Sequence, residues 1–508
     1  MDSCFSRRII ALSLILAILI PVTSCATRTN NPNGAENSNT GTETDEKTEA
    51  LDTRFLNVDF DGRDFRVQTS INIDDATNAN KFIQGPEVQN ADIVDDAVYD
   101  RNQKVKELLG INLKFTESNY TYDNAAAQIR KIVMTGDDEF DLIINDLRAM
   151  AALGIEGLLH DISKIENFDY SKKYWYNDYM QDLQILPGYY YCMAGDYFMD
   201  VIASCHALFY NKTLINDSYG DPDYIYKLVL DGKWTYDEML NITTEGYRDL
   251  NGDSKRNKGD QFGFAINGTW GTAIPFIGSS GNTFIDRSSG VPEFALNNER
   301  SITFADALLQ LWYDKGTFNL PVNGQMNVEL LKYFADSKTI IVGYQRLGDL
   351  EKMRDIDGFN IGIIPYPKLN ETDKYITSTH DTTEIGVMPI TAADINFATT
   401  VIEVMNRETA AMVIPNYYET ALKVKYTTDQ LSASMIDIIH DNFGSTFPLA
   451  FSDSLNQILL QTYSNCLDKK SNVFASVYES KIKSATALLN KMIEKQQKNI
   501  DLLEGTKK

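Results

Sequence analysis

The spacing of apolar residues changes repeatedly along the chain after about Phe55. Residues 64–70 (DFRVQTS) alternate as a strand does, whereas the apolar residues of 94–109 recur at helical spacing. Gly110 follows at the point where a helix would stop. Residues 111–115 (INLKF) then predict a second strand.

The same succession continues towards the C-terminus. The pattern predicts a helix at 125–134, a short buried strand at 141–144 and a later strand at 340–342. Helical spacing also marks 304–312 and a last helix at 482–493. No repeat of fixed period is visible. This β-α-β-α order predicts an α/β fold with a largely parallel sheet.

Length and charge narrow the classes of function. The chain has 508 residues, which is too long for one ordinary core and suggests two or more domains or lobes. It carries 47 Lys and Arg against 71 Asp and Glu, a formal net charge of -24. This balance argues against binding nucleic acid and against electrostatic docking on anionic lipid. A small neutral ligand or a cation is compatible with it.

The N-terminus reads as a secretory signal. Arg7 and Arg8 precede an apolar run from Ile9 to Ile20, and Pro21 with small residues follows. The run is shorter than the roughly 20 residues that span a bilayer. A buried helix is the alternative, but the basic start and the small-residue end favour residues 1–24 as a signal peptide.

The apolar run is followed by Val22-Thr23-Ser24-Cys25, which resembles a bacterial lipobox. The resemblance implies cleavage before Cys25 and acylation of this residue, with anchoring on the outer face of the cell membrane. Residues 26–52 carry one large apolar side chain, Leu51, and cannot bury enough surface to order themselves. We expect residues 25–54 to form a lipidated, disordered tether.

Cysteine use is consistent with export. Cys4 would leave with the signal, and Cys25 is the expected anchor, so Cys192, Cys205 and Cys466 remain. An odd number gives no disulfide framework. A single bridge between Cys192 and Cys205 is one option, and buried free thiols are the favoured one.

Several segments together resemble an extracellular solute-binding protein of an ABC importer, of the family 1 that includes the maltose-binding protein. These segments are DLIINDLR at 141–148, LFYNK at 208–212, WTYDE at 234–238, the loop 249–264, PFIGSSGN at 275–282 and the strand 339–343. Their order behind a lipobox is more specific than any one of them. The chain is longer than typical members, with extra material around 166–191 that is rich in Tyr and Asp.

The resemblance implies a two-lobed periplasmic-binding-protein fold of type II, a hinged trap with strands crossing between the lobes. It places the first lobe at 55–204 and 368–412, and the second lobe at 206–365 and 415–508. Ligands in such folds lie at the carboxyl ends of strands, facing the other lobe. The expected ligand is a small solute, with a carbohydrate or oligosaccharide favoured over a peptide or a metal. The expected partner is a membrane permease, and we expect a monomer that needs no cofactor.

Residues at strand ends are the candidates for ligand contact. Asn145, Asp146 and Arg148 follow the strand 141–144 and could bind sugar hydroxyls, although Asp at this point is also a favoured helix N-cap. Ser204 lies where the resembling family enters its crossing strand, and it is either a ligand contact or a small hinge residue.

Aromatic residues are candidates for covering the C–H face of a sugar. The resemblance places a stacking aromatic at Trp270, with core packing as the alternative. Tyr344, Gln345 and Arg346 occupy the equivalent position after the strand 339–342. Phe451 matches another aromatic contact of the family, with a core role favoured. Trp175 and the run Tyr189 to Tyr191 are expected to serve mostly in packing.

One acidic loop has the spacing of a calcium site. Asp249, Asn251, Asp253 and Asp260 stand at positions 1, 3, 5 and 12, which lets alternate side chains surround a hard cation. The pattern resembles dockerin-like calcium loops. The alternative is a solvated turn neutralised by the lysine and arginine residues between 255 and 258. A structural calcium would pin the loop and perform no chemistry.

The sequence gives little support to catalysis. His160, His206, His380 and His440 form no metal-ligand spacing, and no nucleophile elbow or P-loop is present. We therefore expect a binding protein and no enzyme. Two alternatives stay open: a lipid-anchored glycosidase, because many carboxylate pairs exist, and an adhesive lipoprotein that neither closes nor binds a small ligand.

Overall fold

The computed structural model describes residues 53–55, 57–70, 79–120, 124–320, 326–353, 356–425 and 429–505. The predicted signal peptide, the lipobox with Cys25 and almost all of the predicted tether lie outside these residues. Among the residues that the structure describes, no helix combines the length and the hydropathy needed to cross a membrane.

Strands and helices alternate along much of the chain. The strands are β1 Arg63–Ser70, β2 Ile111–Ser118, β3 Leu142–Asp146, β4 His206–Asn211, β5 Phe262–Asn267, β6 Ile285–Asp286, β7 Glu293–Phe294, β8 Thr317–Leu320, β9 Thr339–Arg346, β10 Ile361–Ile364 and β11 Glu384–Val387. The helices are α1 Ala79–Ile83, α2 Ile93–Leu109, α3 Ala125–Thr135, α4 Leu147–Ile155, α5 Asn177–Asp182, α6 Asp200–Ala203, α7 Lys212–Tyr219, α8 Tyr224–Leu230, α9 Tyr236–Glu245, α10 Ala273–Gly278, α11 Glu299–Tyr313, α12 Met326–Ala335, α13 Leu350–Met353, α14 Ile395–Glu408, α15 Gln430–His440, α16 Phe447–Ala450, α17 Ile458–Lys469 and α18 Phe474–Gly505.

Local capping explains where the best-defined helix begins and ends. The Asp92 carboxylate accepts hydrogen bonds from the backbone N–H groups of Val94 and Asp95, which start α2. Gly110 ends the helix at φ 59°, a left-handed conformation that costs glycine little. The stop predicted at Gly110 is therefore confirmed.

The first sheet has the order β11-β3-β1-β2. Strand β1 pairs in parallel with β2 and with β3, whereas β11 runs antiparallel to β3. Side chains of the central strands, such as Phe65, Val67 and Leu142, are fully buried between the covering helices. We call this sheet with α2, α3, α4 and α14 the first lobe.

The second sheet has the order β10-β4-β9-β5-β8. Strand β5 pairs in parallel with β8 and β9, and β4 runs antiparallel to both β9 and β10. We call this sheet with α9, α11, α12 and α15, together with α17 and α18 that pack on α11, the second lobe.

The short strands β6 and β7 form an antiparallel pair of their own. In the two larger sheets, the expectation of a largely parallel arrangement holds for most strands and is wrong for β4 and β11. Each of these two strands is the first that the chain enters after passing from one sheet to the other. A right-handed β-α-β crossover within one sheet forces parallel pairing, and a passage between sheets does not.

Two passages between the lobes run side by side. Cys205 and Thr379 form an antiparallel bridge, and the backbone N–H of His206 donates to the carbonyl of Ser378 at 2.8 Å. The N–H of His380 returns a bond to the carbonyl of Ser204 at 2.9 Å. A third passage leaves α14 through π-helical turns at Thr409–Val413 and Pro415–Lys425 before α15. The hydrogen-bonded backbone of the first two passages couples the two lobes mechanically.

The lobes also touch away from the passages. Helix α4 of the first lobe packs against α18 of the second lobe and against α16, which lies between α15 and α17 in the chain. The Asn499 side chain on α18 donates to the carbonyl of Ile155 at 3.1 Å. Cys192, Cys205 and Cys466 are buried free thiols, so no bridge joins Cys192 to Cys205.

Candidate functional site

Asp146 stands at the carboxyl end of β3, where it serves two roles. One carboxylate oxygen accepts the backbone N–H groups of Arg148 (2.9 Å) and Ala149 (3.1 Å), so Asp146 is the N-cap of α4. The other oxygen is buried without a hydrogen-bond partner among the described residues. Burial raises the pKa of Asp146 to about 7, and the charge of Arg148 opposes this rise.

Arg148 lies between carboxylates of three different segments. Its guanidinium is 3.7 Å from Asp146 in the first lobe and 3.5 Å from Asp381 beside the crossing segment. It is also 3.9 Å from Asp453, which precedes α17 in the second lobe. The side chain keeps 17% exposure, so it bridges the lobes and remains reachable from solvent.

Buried polar groups surround Asp146 on the neighbouring strands. Asn145 is 1% exposed and its side-chain nitrogen has no partner in the described part of the chain. Glu384 on β11 accepts the hydroxyl of Ser70 at 2.6 Å, and the Glu384 backbone N–H donates to Asp200 at 2.7 Å. Burial, and then the charge of Asp200, raises the pKa of Glu384 well above its ordinary value. The edge of the first sheet that faces the passages is therefore polar.

The second sheet brings Arg346 to the same place. Arg346 ends β9, is 2% exposed and pairs with His206 in the β4–β9 register. The His206 ring lies 5.6 Å from the ring of His380, and His380 lies 3.3 Å from the Asp381 carboxylate. Burial lowers the pKa of His206 well below its ordinary value, and the positive charges of His380 and Arg346 lower it further.

These contacts form one continuous group across the lobes. We call it the interlobe polar cluster, and its members are Asp146, Arg148, His206, Arg346, His380 and Asp381. It contains predicted residues from both sheets. His206, His380 and Asp381 were not predicted as site residues, because their sequence neighbourhood gives no motif and only the side-by-side passages place them here.

The remaining strand-end predictions lie beside this cluster. Ser204 is fully buried, and its hydroxyl lies 2.6 Å from that of Thr383 across the paired passages. Gln345 is fully buried, with its side-chain nitrogen donating to the carbonyl of Gly343 at 3.0 Å. The side chain of Tyr344 lies outside the described part of the structure.

Trp270 lies apart from the interlobe polar cluster. Its side chain is 37% exposed between β5 and α10, and the hydroxyl of Thr269 beside it donates to Asp468. Asp468 is near the far end of α17, a helix of 12 residues that spans roughly 18 Å. Asp453, which reaches Arg148, precedes the near end of this helix.

Phe451, which stands between α16 and α17, is 2% exposed and packs against α4 of the first lobe. Its ring lies 4.7 Å from that of Phe447, and it contributes to a nearly filled space of about 10 Å³ with Ile155, Met180 and Tyr191. The structure thus places Phe451 in an apolar contact between the lobes.

A larger cavity opens between the lobes at another point. It has a volume of about 320 Å³ and is lined by Trp175, Tyr176, Asn177, Asp178, Tyr179, Asp441, Phe443 and Gly444. We call it the aromatic cavity. The first five residues come from the extra material before β4, and the last three follow α15. The sequence signal that could have indicated it is the run of aromatic residues at 174–179, which also contains Asp178.

The acidic loop is closed by its own hydrogen bonds. The Asp249 carboxylate accepts the N–H of Gly252 (2.7 Å), and Asp253 accepts that of Lys255 (2.7 Å) and the side chain of Asn257 (3.0 Å). Asn251 likewise accepts the N–H of Asp253 at 2.9 Å. Asp260 is fully buried and accepts the Asn257 N–H at 3.1 Å.

No group of three or more acidic, His or Cys side chains within the described ranges is gathered as a metal site. The all-oxygen donor set suits a hard cation, but as folded most of these oxygens accept hydrogen bonds from the loop, while Oδ1 of the buried Asp260 has no partner among the described residues. The fit to calcium is therefore incomplete in this geometry, and calcium binding stays a prediction.

Comparison with known proteins gives structural relatives only. No protein-family model matches the chain, and no curated protein sequence matches it. Among solved structures, the chain is similar to the GacH receptor of Streptomyces glaucescens, studied unliganded and with acarbose (TM-score 0.52, 11% identity, 84% of this chain and 99% of that one).

Two further structures are similar at the same level. One is an ABC transporter solute-binding protein from Thermotoga lettingae bound to α-D-tagatose (TM-score 0.52, 12% identity, 84% and 100% coverage). The other is a cyclo/maltodextrin-binding protein complexed with maltotetraose (TM-score 0.53, 12% identity, 86% and 98% coverage). The chain therefore has the two-lobed α/β fold of type II solute-binding proteins, and the predicted fold class is confirmed.

Proposed function

We propose that this protein captures a carbohydrate between its two lobes and delivers it to an ABC permease. The observation that carries the proposal is the interlobe polar cluster, in which Arg148 of the first lobe reaches Asp381 by the passages and Asp453 of the second lobe. Structural relatives described as complexes with acarbose, tagatose and maltotetraose support a sugar as the ligand.

The chemistry of the cluster suits hydroxyl groups. Sugar hydroxyls both donate and accept, and adjacent hydroxyls form pairs that a guanidinium or a carboxylate binds with charge-assisted hydrogen bonds. Arg148 supplies donors, while Asp381 and Asp453 supply acceptors with 18% and 63% exposure. A sugar entering from solvent would replace the long ion pairs of Arg148, each 3.5 Å or more, with shorter hydrogen bonds.

The proposed closure mechanism uses two lobes that are joined by paired backbone passages. Ligand contacts made by both lobes favour the closed arrangement over the open one in proportion to the difference in affinity. The closed arrangement is the form that we propose docks on the permease. The protein binds its ligand and releases it unchanged, so no residue is assigned a catalytic role.

The division of the chain is part of the proposal. We propose residues 55–204 with 368–412 as the first lobe and 206–365 with 415–508 as the second. The membership of β11 in the first sheet and of β4, β5, β8, β9 and β10 in the second supports these ranges.

We further propose that Cys25 carries the lipid that holds the protein at the outer face of the cell membrane. The lipobox and the basic, apolar segment before it support this assignment. Metabolic labelling with a clickable palmitate analogue, followed by mass spectrometry of the N-terminal peptide, tests it. Label retained in a Cys25→Ala variant would contradict the assignment.

Isothermal titration calorimetry over mono- and oligosaccharides tests the function, with scattering measured with and without ligand. We expect saturable binding, a smaller radius of gyration with ligand, and a chemically unchanged sugar on recovery. A cleaved glycan would replace this proposal with the glycosidase alternative. A failure to bind any sugar or to change in radius would favour the adhesive alternative.

A further inference from the structure

The aromatic cavity is built from segments of both lobes. Trp175 to Tyr179 belong to the first lobe, where the Trp175 indole N–H donates to Glu403 on α14 at 2.9 Å. Asp441 to Gly444 follow α15, which packs on β10 of the second sheet. With a volume of about 320 Å³, the cavity falls at the small end of the range of about 300–1,000 Å³ found for small-molecule sites.

The aromatic rings of the first-lobe wall are held at their polar ends by hydrogen bonds. Besides the Trp175 bond to Glu403, the Tyr176 hydroxyl donates to Asp196 at 2.7 Å, and the Tyr179 hydroxyl lies 3.4 Å from that of Thr379. A ring that is already held in one orientation loses little entropy when a ligand packs on it. The first-lobe wall is therefore preorganised.

Backbone hydrogen bonds to the crossing segment hold the second-lobe wall of the aromatic cavity in place. Phe443 and Thr377 form a parallel bridge, and the Gly444 N–H donates to the Thr377 carbonyl at 2.8 Å. A side chain at Gly444 would lie 2.6 Å from Ile376, so only glycine allows this approach. The Phe443 ring lies 5.6 Å from that of Tyr176 and 5.9 Å from that of Tyr179, so it meets the first-lobe wall directly.

The charges at the cavity are acidic. Asp178 and Asp441 are both exposed, and no Lys or Arg belongs to the lining. His440 lies beside the cavity, with its ring 6.0 Å from Phe443 and its Nδ1 atom 2.8 Å from Asp441.

From these observations we infer that the aromatic cavity holds one pyranose ring of a neutral or amino sugar and discriminates against sugar acids. Aromatic rings cover the C–H face of a pyranose, while carboxylates accept hydroxyls or a protonated amine. The carboxylate of a uronic acid would meet like charges at the mouth, which disfavours it. This inference rests on the proposed function and names the sugar class and a second place where the sugar meets both lobes.

The test uses the mature full-length protein without its lipid and a panel of matched sugars. D-Glucose, D-galactose and D-mannose are each titrated as the neutral sugar, the 2-amino-2-deoxy sugar and the uronic acid, together with maltotriose. We expect at least tenfold weaker binding of the uronic acids than of their neutral or amino counterparts. The double variant with Asp178→Asn and Asp441→Asn should reduce the ratio between the Kd of a uronic acid and the Kd of its neutral counterpart at least threefold. Phe443→Ala should weaken binding of the tightest-binding panel sugar at least tenfold.

Two variants serve as controls. Asp217→Asn removes an exposed carboxylate on α7, outside the cavity lining, and should leave every ratio unchanged. Phe115→Ala truncates a half-buried phenylalanine on β2 and separates lost stability from lost binding. The inference is overturned if Phe443→Ala binds the panel sugars as tightly as the wild type does, or if the wild type binds uronic acids as tightly as neutral sugars. Either result leaves the proposed function standing. Absence of binding to every panel sugar overturns both.

Discussion

The Asp182 carboxylate accepts a hydrogen bond from the backbone N–H of Phe447 at 2.8 Å, although 265 residues separate the two along the chain. The same oxygen accepts the N–H of Thr446 at 2.7 Å and the hydroxyl of Ser445 at 2.8 Å. In the proposed division of the chain, Asp182 ends α5 in the first lobe and Phe447 begins α16 in the second. Arg287 of the second lobe adds a bond to the Asp182 carbonyl at 2.7 Å. One side chain therefore fastens the lobes together.

Replacing Asp182 should loosen this contact. Asp182→Ala leaves the N–H groups of Thr446 and Phe447 without their acceptor, which costs about 1–3 kcal/mol for buried groups. We expect a lower free energy of unfolding in urea and a larger radius of gyration without ligand. Asp231→Ala, which removes an exposed carboxylate on the second lobe, is the control. An unchanged radius together with an unchanged free energy of unfolding would show that Asp182 does not fasten the lobes.

Arg148 should matter for ligand binding more than for folding. Arg148→Met keeps the length of the side chain and removes the charge that lies near Asp381 and Asp453. We expect at least tenfold weaker sugar binding by calorimetry, with an unchanged circular dichroism spectrum. Arg130→Met is a matched control, because Arg130 pairs with Glu156 within the first lobe at 2.6 Å. Equal sugar affinity in wild type and Arg148→Met would remove Arg148 from the site.

Asp146 should make stability depend on pH in a defined window. Its ordinary pKa is 3.8, and burial raises the pKa to about 7 in the folded protein. Between about pH 4 and 7 the folded protein keeps a proton that the unfolded chain has released, so this contribution to stability is lost as pH rises, by up to about 4 kcal/mol. Asp146→Asn keeps an oxygen that can cap α4 and should flatten the decline.

Urea unfolding of both proteins at several pH values across this window measures the effect. Other groups titrate in the same range, so the informative quantity is the difference between wild type and variant at each pH. A difference that does not change with pH would show that Asp146 ionises in the folded protein as it does in the unfolded chain.

Trp270 and Phe451 should respond to truncation in opposite ways. Trp270 is 37% exposed, so Trp270→Ala should leave stability almost unchanged and, if the ring is a ligand platform, weaken sugar binding roughly tenfold. Phe451→Ala, as the comparison, removes a buried ring and should cost about 3–5 kcal/mol of folding free energy. Calorimetry with unaltered affinity in Trp270→Ala would exclude Trp270 from the ligand site.

Calcium binding at the acidic loop predicts a thermal shift. If calcium replaces the hydrogen bonds that Asp249 and Asp253 now accept, calcium should raise the melting temperature and a chelator should lower it, because a ligand bound only to the folded state stabilises it. Asp253→Asn should abolish the shift. A melting temperature that is the same with calcium and with chelator would leave the loop as a solvated turn.

Helix ends and strand-end candidates could be predicted from the sequence alone. Asp92 and Gly110 mark the ends of α2 because a cap and a left-handed glycine act within one helical turn. Likewise, the Asn211 side chain in the LFYNK segment accepts the N–H groups of Thr213 and Leu214 and begins α7. Asp146 and Arg148 could be selected because strand ends are where ligands gather in α/β folds.

Long-range placement was decided only by the tertiary structure. The residues Trp175 to Tyr179 read as packing material, and nothing in Asp441 to Gly444 indicates a cavity wall, until the paired passages bring them together. The tertiary structure also decided the antiparallel pairing of β4 and β11 and the contact of Asp182 with Phe447. Periodicity, caps and strand ends are properties of neighbouring residues, so the sequence determines them. A site shared by two lobes depends on where the chain crosses between them, and that is set by the packing of the whole molecule.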